Sequence, residues 1–276
     1  MENTDNLEFL VLSDNTAAEG LESEWGLSIL ITFRGTQYLL DAGTSDLFIR
    51  NAEKLEVDLS QAEYAVLSHA HFDHADGLPA FFRINKKAKC LLRESTCENC
   101  YDYKKGQYNY VGIPKGMTEE FAERIEFAKG NVEIMPDVYL IPHTIPQSDE
   151  EAAIASLFIE KNGKFIPDPF EHEHSLVFRL PKGLVIFNSC SHTGAPNIIR
   201  EIQESFPNEK VFAYIGGLHT YRWDDDRIHA LARDFRNAGI EHLYTDHCTG
   251  SRQTALLCEE LGENCKKLFA GMKVRL

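Results

Sequence analysis

The sequence lacks an excess of positive charge. Its 276 residues include 28 lysines and arginines against 43 aspartates and glutamates, which gives a formal net charge of −15. Proteins that hold a nucleic-acid backbone do so mainly through lysine and arginine, so this balance disfavours DNA and RNA as partners. A ribonuclease is disfavoured for the same reason.

Two signals that would direct a chain to a membrane or out of the cell are also missing. No run of apolar residues is long enough to cross a bilayer. The opening letters, MENTD, have neither the basic start nor the apolar stretch of a secretory signal. These absences predict a soluble, cytoplasmic protein without a membrane partner. The length predicts one large domain spanning residues 1–276.

Paired cysteines are scarce. The chain has seven cysteines, an odd number, and only Cys97 and Cys100 form a CxxC pair. A structural zinc ribbon needs a second such pair, and a disulfide framework is not expected without export, so the sequence predicts reduced thiols. Cys190 and Cys248 are interpreted as small buried hydrophobic side chains.

Apolar periodicity predicts strands that alternate with helices. The predicted strands are residues 7–12, 27–33, 38–41, 64–68, 138–142, 175–180, 184–188, 211–215 and 242–245. The predicted helices are residues 46–55, 77–82, 118–128, 196–206, 224–238 and 251–269. Residues 95–130, rich in tyrosine and lysine, are interpreted as an insertion, and a second irregular stretch carries Pro146, Pro167 and Pro169.

The densest chemical signal is the run HAHFDH at residues 69–74, directly after the predicted strand 64–68. His69 and His71 are separated by one residue, so they leave a strand end on the same side and can converge on one ion. Asp73 and His74 follow the turn and can reach a second ion. A solvated loop has little reason to concentrate three imidazoles, so the run predicts a two-metal site.

This run matches the HxHxDH signature of the metallo-β-lactamase superfamily, which the sequence resembles over nearly its whole length. The resemblance implies an α/β fold, a four-layer αβ/βα sandwich of two mixed sheets. Residues 41–43, DAG, resemble the superfamily's Asp-x-Gly element, which supports the metal site; an ordinary turn is the alternative. Residues 24–28, 190–194, 216–219 and 246–250 resemble a branch of metal-dependent hydrolases named for a dihydropterin-ribofuranosyl-aminobenzene phosphate synthase.

The resemblance also implies a ligand set for two ions. The predicted ligands are His69, His71, Asp73, His74, His192 and His247. His192 is assigned to the position between the ions, where the superfamily usually has an aspartate, and whether it bridges them or binds one is left open. The cluster EHEH at residues 171–174 is either a solvated face or the source of a further ligand.

Imidazole and carboxylate ligands suit two divalent ions, of which zinc is favoured and iron or manganese are alternatives. Oxygen reduction at a diiron centre is disfavoured, because flavodiiron relatives typically carry glutamate where His71 stands. The predicted reaction is hydrolysis by a metal-bound hydroxide, with Asp73 orienting it. His219 is predicted to be a general acid or a substrate contact.

The predicted substrate is a small, ring-bearing molecule of the phosphorylated or ester type, with a phosphoester favoured. Residues 95–130 are predicted to form a lid whose tyrosines stack on a ring and whose lysines offset phosphate charge; a solvated loop or a homo-oligomer contact is the alternative. The competing functions are a thioesterase or lactonase, and a metal-containing ligand-binding or signalling module. The missing export signal disfavours an antibiotic-degrading lactamase.

Overall fold

The computed structural model describes residues 6–145 and 156–276. Its strands in chain order are β1 (Leu7–Ser13), β2 (Ser28–Phe33), β3 (Thr36–Leu40), β4 (Tyr64–Val66), β5 (Lys89–Arg93), β6 (Cys100–Lys104), β7 (Gln107–Tyr110), β8 (Ile125–Ala128), β9 (Val132–Met135), β10 (Val138–Pro142), β11 (Leu157–Lys161), β12 (Lys164–Pro167), β13 (His174–Leu180), β14 (Gly183–Phe187), β15 (Val211–Ile215), β16 (His242–Thr245), β17 (Cys265–Lys267) and β18 (Lys273–Arg275). Its α-helices are α1 (Leu47–Lys54), α2 (Phe72–Ala75), α3 (Leu78–Ile84), α4 (Met117–Glu120), α5 (Ala195–Ser205), α6 (Asp225–Asn237) and α7 (Ser251–Leu261).

The two large sheets are both mixed, as predicted. The first has the order β18-β1-β2-β3-β4-β5-β8 and is antiparallel from β18 to β3 and parallel from β3 to β8. The second has the order β17-β16-β15-β14-β13-β10-β9 and is parallel from β17 to β14. The carboxyl ends of neighbouring parallel strands share one edge, which is where α/β proteins build ligand sites.

Three apolar layers hold these sheets together. Between them, the rings of Phe33 and Tyr38 meet Phe178 of the opposite sheet edge-to-face, each with a centroid distance of 5.4 Å. Helices α1 and α3 pack on the outer face of the first sheet. Helices α5, α6 and α7 cover the second sheet. The order helix, sheet, sheet, helix confirms the predicted four-layer sandwich.

Two predicted helices were wrong over part of their length. Residues 118–128 were expected to be helical, but the helix covers only Met117–Glu120 and Ile125–Ala128 is strand β8, paired with β5. Burial of Ile125 and Ala128 against the sheet outweighs local helical preference there. The helix expected over residues 251–269 ends at Leu261, because Gly262 adopts a left-handed φ of 63°.

A third, smaller sheet has the order β12-β11-β6-β7. It joins the hairpin β6–β7, from the predicted insertion, to the hairpin β11–β12, from the stretch predicted to be irregular. Pro167 ends the edge strand β12, a position that needs no backbone donor. Pro146 lies outside the described residues. No helix in the described ranges is long and apolar enough to cross a membrane.

Glu201, on helix α5, is hydrogen-bonded to residues 143–145, which follow strand β10. Its carboxylate accepts hydrogen bonds from the Thr144 N–H at 2.8 Å, the Ile145 N–H at 3.0 Å and the His143 ring at 3.0 Å. Burial opposes ionisation, but these bonds outweigh it and lower the pKa of Glu201 from 4.5 to about 2. The carboxylate therefore stabilises the fold above pH 4.5, and that contribution is lost as the pH falls toward 2.

We expect Glu201→Gln to lower the free energy of unfolding by roughly 2–3 kcal/mol at pH 7 and by clearly less at pH 3. Urea unfolding at the two pH values measures the difference. Glu204→Gln, an exposed change on the same helix, is the matched control and should have little effect. If Glu201→Gln lowered the free energy of unfolding equally at both pH values, the proposed dependence of stability on the ionisation of Glu201 would be wrong.

Candidate metal centre

The loop that carries residues 69–74 begins where strand β4 ends, and helix α2 forms its second half. Asp41, at the end of β3, holds this loop from behind. One carboxylate oxygen of Asp41 accepts the Ser68 N–H at 2.7 Å; the other accepts the Ser68 hydroxyl at 2.7 Å and the Nδ1 of His74 at 2.8 Å. This geometry supports the predicted role of Asp41 beside the metal site over an ordinary turn.

Three imidazoles are oriented by their Nδ1 atoms. The Nδ1 of His74 donates to Asp41, and the Nδ1 of His69 lies 2.8 Å from the Ser68 hydroxyl. The Nδ1 of His247 lies 3.3 Å from the side-chain oxygen of Asn15. Because each Nδ1 faces an oxygen, each Nε2 is turned toward the centre of the site.

The other half of the site comes from the carboxyl ends of the parallel strands β14, β15 and β16. The loops after these strands carry His192, His219 and His247 respectively. Ser191, His219 and His247 have left-handed φ angles of 53°, 51° and 50°, which are uncommon for residues with a side chain. Such strained backbone is typical of functional sites.

A first group of ligand atoms consists of His69, His71 and His192, whose nitrogen atoms lie within 4.8 Å of one another. The Nε2 atoms of His69 and His192 are 3.3 Å apart. The buried Nε2 of His71 has no hydrogen-bond partner within the described ranges. Ligands bound to zinc tetrahedrally at 2.0–2.1 Å are separated by about 3.3 Å, so these donors suit one cation.

A second group surrounds the Nε2 of His74. That atom lies 3.2 Å from the Nε2 of His247 and 3.1 Å from the sulfur of Cys190. A carboxylate oxygen of Asp73 is 3.5 Å from His247 and 3.8 Å from His74. Nitrogen, oxygen and sulfur donors at these separations also fit one divalent cation.

The charges in the site agree with this interpretation. Burial and repulsion from neighbouring imidazoles lower the pKa of His69 and His192, and lower that of His71 to about 3, so these rings are neutral. Burial lowers the pKa of His247, but Asp73 outweighs it and raises the value to about 9. Loading a cation onto the second group would therefore release a proton from His247.

The structure gives the surroundings of His192 and Cys190. A ring nitrogen of His192 lies within 4.8 Å of those of His69 and His71, and in a second cluster it lies within 4.8 Å of Cys190 and His219. The Cys190 sulfur also lies beside His74. Cys190, interpreted as a small hydrophobic residue, is thus part of the cluster. Sequence reasoning missed it because a buried cysteine looks the same in either role; its position at the end of strand β14 was the available signal.

The cluster at residues 171–174 is not a solvated face, since His172, Glu173 and His174 are all buried. The Glu173 carboxylate accepts the backbone N–H groups of His192 at 2.8 Å and Thr193 at 2.9 Å. The Nε2 of His174 donates to the Leu67 carbonyl at 2.8 Å. Glu173 and His174 therefore hold the loops that carry the two groups.

Three further histidines, His143, His229 and His242, belong to neither group. His143 is buried between Glu201 and Ser175, and His229 bonds Glu260 at 2.8 Å. His242 packs its ring on Phe212.

A cleft borders both groups, and its volume is about 600 Å³ when the part that is open to solvent is included. The side chains that line it are Trp25, His71, Phe72, Asp73, Asp102, Lys104, Val111, Ser156, Leu157, Cys190, His192, His219, Tyr221, Arg222 and Cys248. From the predicted lid, the cleft is lined by Asp102, Lys104 and Val111. None of the four lid tyrosines lines it; Tyr103 and Tyr108 are exposed and contact each other instead.

The fold and this cluster define an αββα protein that could hold divalent metal at its strand ends. The sequence model of the metallo-beta-lactamase superfamily matches residues 26–187, and the chain belongs to that superfamily.

Comparison with known proteins gives relatives of nearly equal length. The solved structure of Tm1679, described as a metal-dependent hydrolase of the beta-lactamase superfamily, is 30% identical, covers 97% of this chain and 98% of its own, and has a TM-score of 0.81. The 7,8-dihydropterin-6-methyl-4-(beta-D-ribofuranosyl)-aminobenzene-5'-phosphate synthase of Methanocaldococcus jannaschii is 24% identical over 98% of this chain and 97% of the relative. YhfI from Bacillus subtilis, at 10% identity and a TM-score of 0.63, covers 99% of this chain and 100% of its own and is similar in fold.

Proposed function

We propose that this protein is a metal-dependent hydrolase of a small phosphorylated molecule, with a phosphoester as the bond that is cleaved. Its metal ligands are His69, His71 and His192 in the first group, and Asp73, His74, His247 and Cys190 in the second. Zinc is the favoured metal, with iron and manganese as the alternatives. The Cys190 thiol strengthens the preference for zinc, because a soft sulfur donor suits zinc better than it suits manganese.

The observation that carries the proposal is the preset orientation of the imidazoles. Asp41, Ser68 and Asn15 occupy the Nδ1 side of three rings, and the Nε2 atoms of those rings point to two neighbouring centres at the floor of a cleft. Burying so many imidazoles without a cation would be costly, since several of their nitrogens make no other bond.

Two divalent ions held there would supply a hydroxide nucleophile at neutral pH and polarise the bond under attack. The residues of this chain bind, orient and move protons around that chemistry. The Asp73 carboxylate lies among the imidazoles, and its pKa is held below the ordinary value: burial opposes ionisation, but His74 and His247 outweigh it. Asp73 is therefore ionised at working pH and can accept a hydrogen bond from the nucleophile.

His219 is the proposed general acid. It lines the cleft, its ring centroid is 4.3 Å from that of His192, and its buried ring nitrogens have no hydrogen-bond partner among residues 6–145 and 156–276. Its backbone N–H is held by the Cys248 sulfur at 3.3 Å, which fixes the loop while leaving the ring free. A free imidazole at this position can donate a proton to a leaving alkoxide.

The walls of the cleft favour a flat ring and a negative group. Trp25 and Tyr221 form an aromatic wall with a centroid distance of 6.5 Å, and Trp25 also packs on His247. Lys104, which is paired with Asp102 at 2.5 Å, and Arg222 bring two cations to the cleft of a protein of net charge −15. The synthase of M. jannaschii is named for a 5'-phosphate, which agrees with this class of substrate.

Lys104 gives a test of the lid. We expect Lys104→Ala to raise KM for a phosphorylated substrate by about five- to tenfold, since a partly solvated phosphate contact contributes roughly 1–1.5 kcal/mol. Metal content should not change. Lys105→Ala at the adjoining turn, which does not line the cleft, is the control and should leave KM unaltered. If both variants raised KM equally, the effect would come from general electrostatics, and the proposed contact between Lys104 and the substrate phosphate would be wrong.

The test of the function is a screen of phosphomonoesters, phosphodiesters, thioesters and lactones with the zinc- and manganese-loaded protein, beside Asp73→Asn as the inactive control. We expect turnover of phosphoesters that the control lacks. Turnover of thioesters or lactones alone would reassign the substrate class. Metal binding without any turnover would replace the hydrolase by a metal-containing ligand-binding or signalling module.

A further inference from the structure

A buried polar cluster lies behind the first ligand group and takes no part in the cleft. It consists of Cys100 on β6, Asp168 after β12, and His172, next to the ring of His71. The Nε2 of His172 lies 3.1 Å from an oxygen of Asp168 and 3.6 Å from the sulfur of Cys100. All three side chains are at least nine-tenths buried. Such groups are costly to bury unless they are paired, so their arrangement calls for a role.

His172 connects this cluster to the metal-binding loop. Its Nδ1 accepts the backbone N–H of Ala70 at 3.2 Å, and Ala70 is the residue between His69 and His71. A nitrogen that accepts a hydrogen bond carries no proton, so the Nε2 of this ring holds the proton and donates it to Asp168. Burial opposes and Asp168 favours protonation, and the net effect raises the pKa of His172. The doubly protonated ring, however, would turn an N–H against the N–H of Ala70.

Asp168 is itself fixed in place. Its second oxygen accepts the Phe170 N–H at 2.7 Å, and its own N–H donates to the Leu157 carbonyl at 3.1 Å. The Phe170 ring stacks on His192, with a centroid distance of 4.5 Å and an interplanar angle of 6°. Residues 168–172 therefore touch the first ligand group from two sides, through Ala70 and through His192.

We infer that Asp168 and His172 are positioning residues that hold the backbone between His69 and His71 and thereby set the affinity of the first ligand group for its cation. The inference rests on the metal centre of the proposed function, and it does not depend on which bond is hydrolysed. Asp168 fixes the tautomer of His172, and His172 fixes Ala70. Since β6 and β11 contact this pair through Cys100 and Leu157, the small sheet is tied to the same loop.

The test measures the affinity for each of two zinc ions by competition with a chromogenic chelator. His172→Phe keeps the ring volume and removes the acceptor; we expect it to weaken the first ligand group by about 10- to 100-fold, the range for partners that orient metal ligands. The second group should keep its ion. In His172→Gln, the side-chain oxygen can accept the Ala70 N–H and should restore part of the affinity.

His143→Phe is the matched control, because His143 is equally buried and bonded on both nitrogens, but its partners Glu201 and Ser175 belong to neither ligand group. It should lose stability and keep both affinities. A second readout is the imidazole nitrogen spectrum of His172 by NMR, which should show the proton on Nε2 in both metal-free and metal-loaded protein.

The outcomes separate the two proposals. Wild-type protein that binds two ions but hydrolyses no phosphoester would end the proposed function and leave the inference standing. Wild-type affinity in His172→Phe would overturn the inference. A His172 ring with its proton on Nδ1, together with a third zinc ion lost in Cys100→Ser, would make the cluster a metal site and overturn the positioning role. Protein that binds no metal would overturn both.

Discussion

Replacing Asp73 by asparagine should lower kcat/KM for a phosphoester by about 10³-fold or more, which corresponds to roughly 4 kcal/mol of transition-state stabilisation. The amide is nearly the same size, so packing against His74 and His247 is retained. It removes the negative charge that the second ligand group needs and the acceptor that would orient the nucleophile. Steady-state kinetics at saturating zinc, together with circular dichroism to confirm the fold, measure the effect.

Asp76→Asn is the control for this substitution. Asp76 caps the same short helix, lies three residues further on, and belongs to neither ligand group. We expect it to keep near wild-type kcat/KM and both ions. Asp73→Asn protein that kept more than about a tenth of the activity would contradict a role for this carboxylate in the chemistry.

The second large effect concerns His219 and depends on the leaving group. His219→Gln should lower kcat by about 10²- to 10³-fold for alkyl phosphoesters, whose alkoxide needs a proton as it departs. For nitrophenyl esters, whose phenolate leaves without one, the loss should be less than about tenfold. Because both substrates are measured with the same variant, general damage to the site would lower kcat for both and would leave the ratio of the two unchanged.

His229→Gln serves as the control, because His229 on α6 bonds Glu260 on α7 and does not line the cleft. It should have no effect on either substrate. A His219→Gln variant that loses the same factor on both leaving groups would show that His219 binds substrate or metal and does not act as the general acid.

The part of the site that the sequence predicts well is local. Residues 69–74 are a dense run next to a predicted strand, and β15 and β16 were placed at their observed bounds, because short buried strands between helices carry a clear apolar signal. The resemblance to a family then supplied the later histidines. Strand ends bring them together because parallel strands share an edge.

The parts that could not be predicted depend on pairings between distant residues. Strand β8 ends the charged, helix-like stretch 118–128, and its place beside β5 makes it a strand. The small sheet pairs residues 100–110 with residues 157–167, and no local sequence pattern predicts this pairing. Cys190 was overlooked for a chemical reason, since a buried thiol serves equally as a hydrophobic side chain or a ligand.

The lid illustrates the same limit. Its aromatic composition suggested that tyrosines stack on the substrate, and the structure gives the aromatic wall of the cleft to Trp25 and Tyr221 instead. Alternation along β6 and β7 decides which side chains face the cleft: Asp102 and Lys104 share one face of β6, and Tyr101 and Tyr103 share the other. The composition of residues 95–130 therefore locates the segment, and the register of strands β6 and β7 decides which of its side chains face the cleft.

The central claim is that two neighbouring groups of buried side chains each hold a divalent metal ion. Elemental analysis of the purified wild-type protein, by inductively coupled plasma mass spectrometry beside His71→Ala, tests it most directly. The account predicts close to two equivalents of zinc, iron or manganese per chain, with a clear loss in His71→Ala. Wild-type protein that carries no metal, and takes up none after incubation with zinc or manganese, would contradict it.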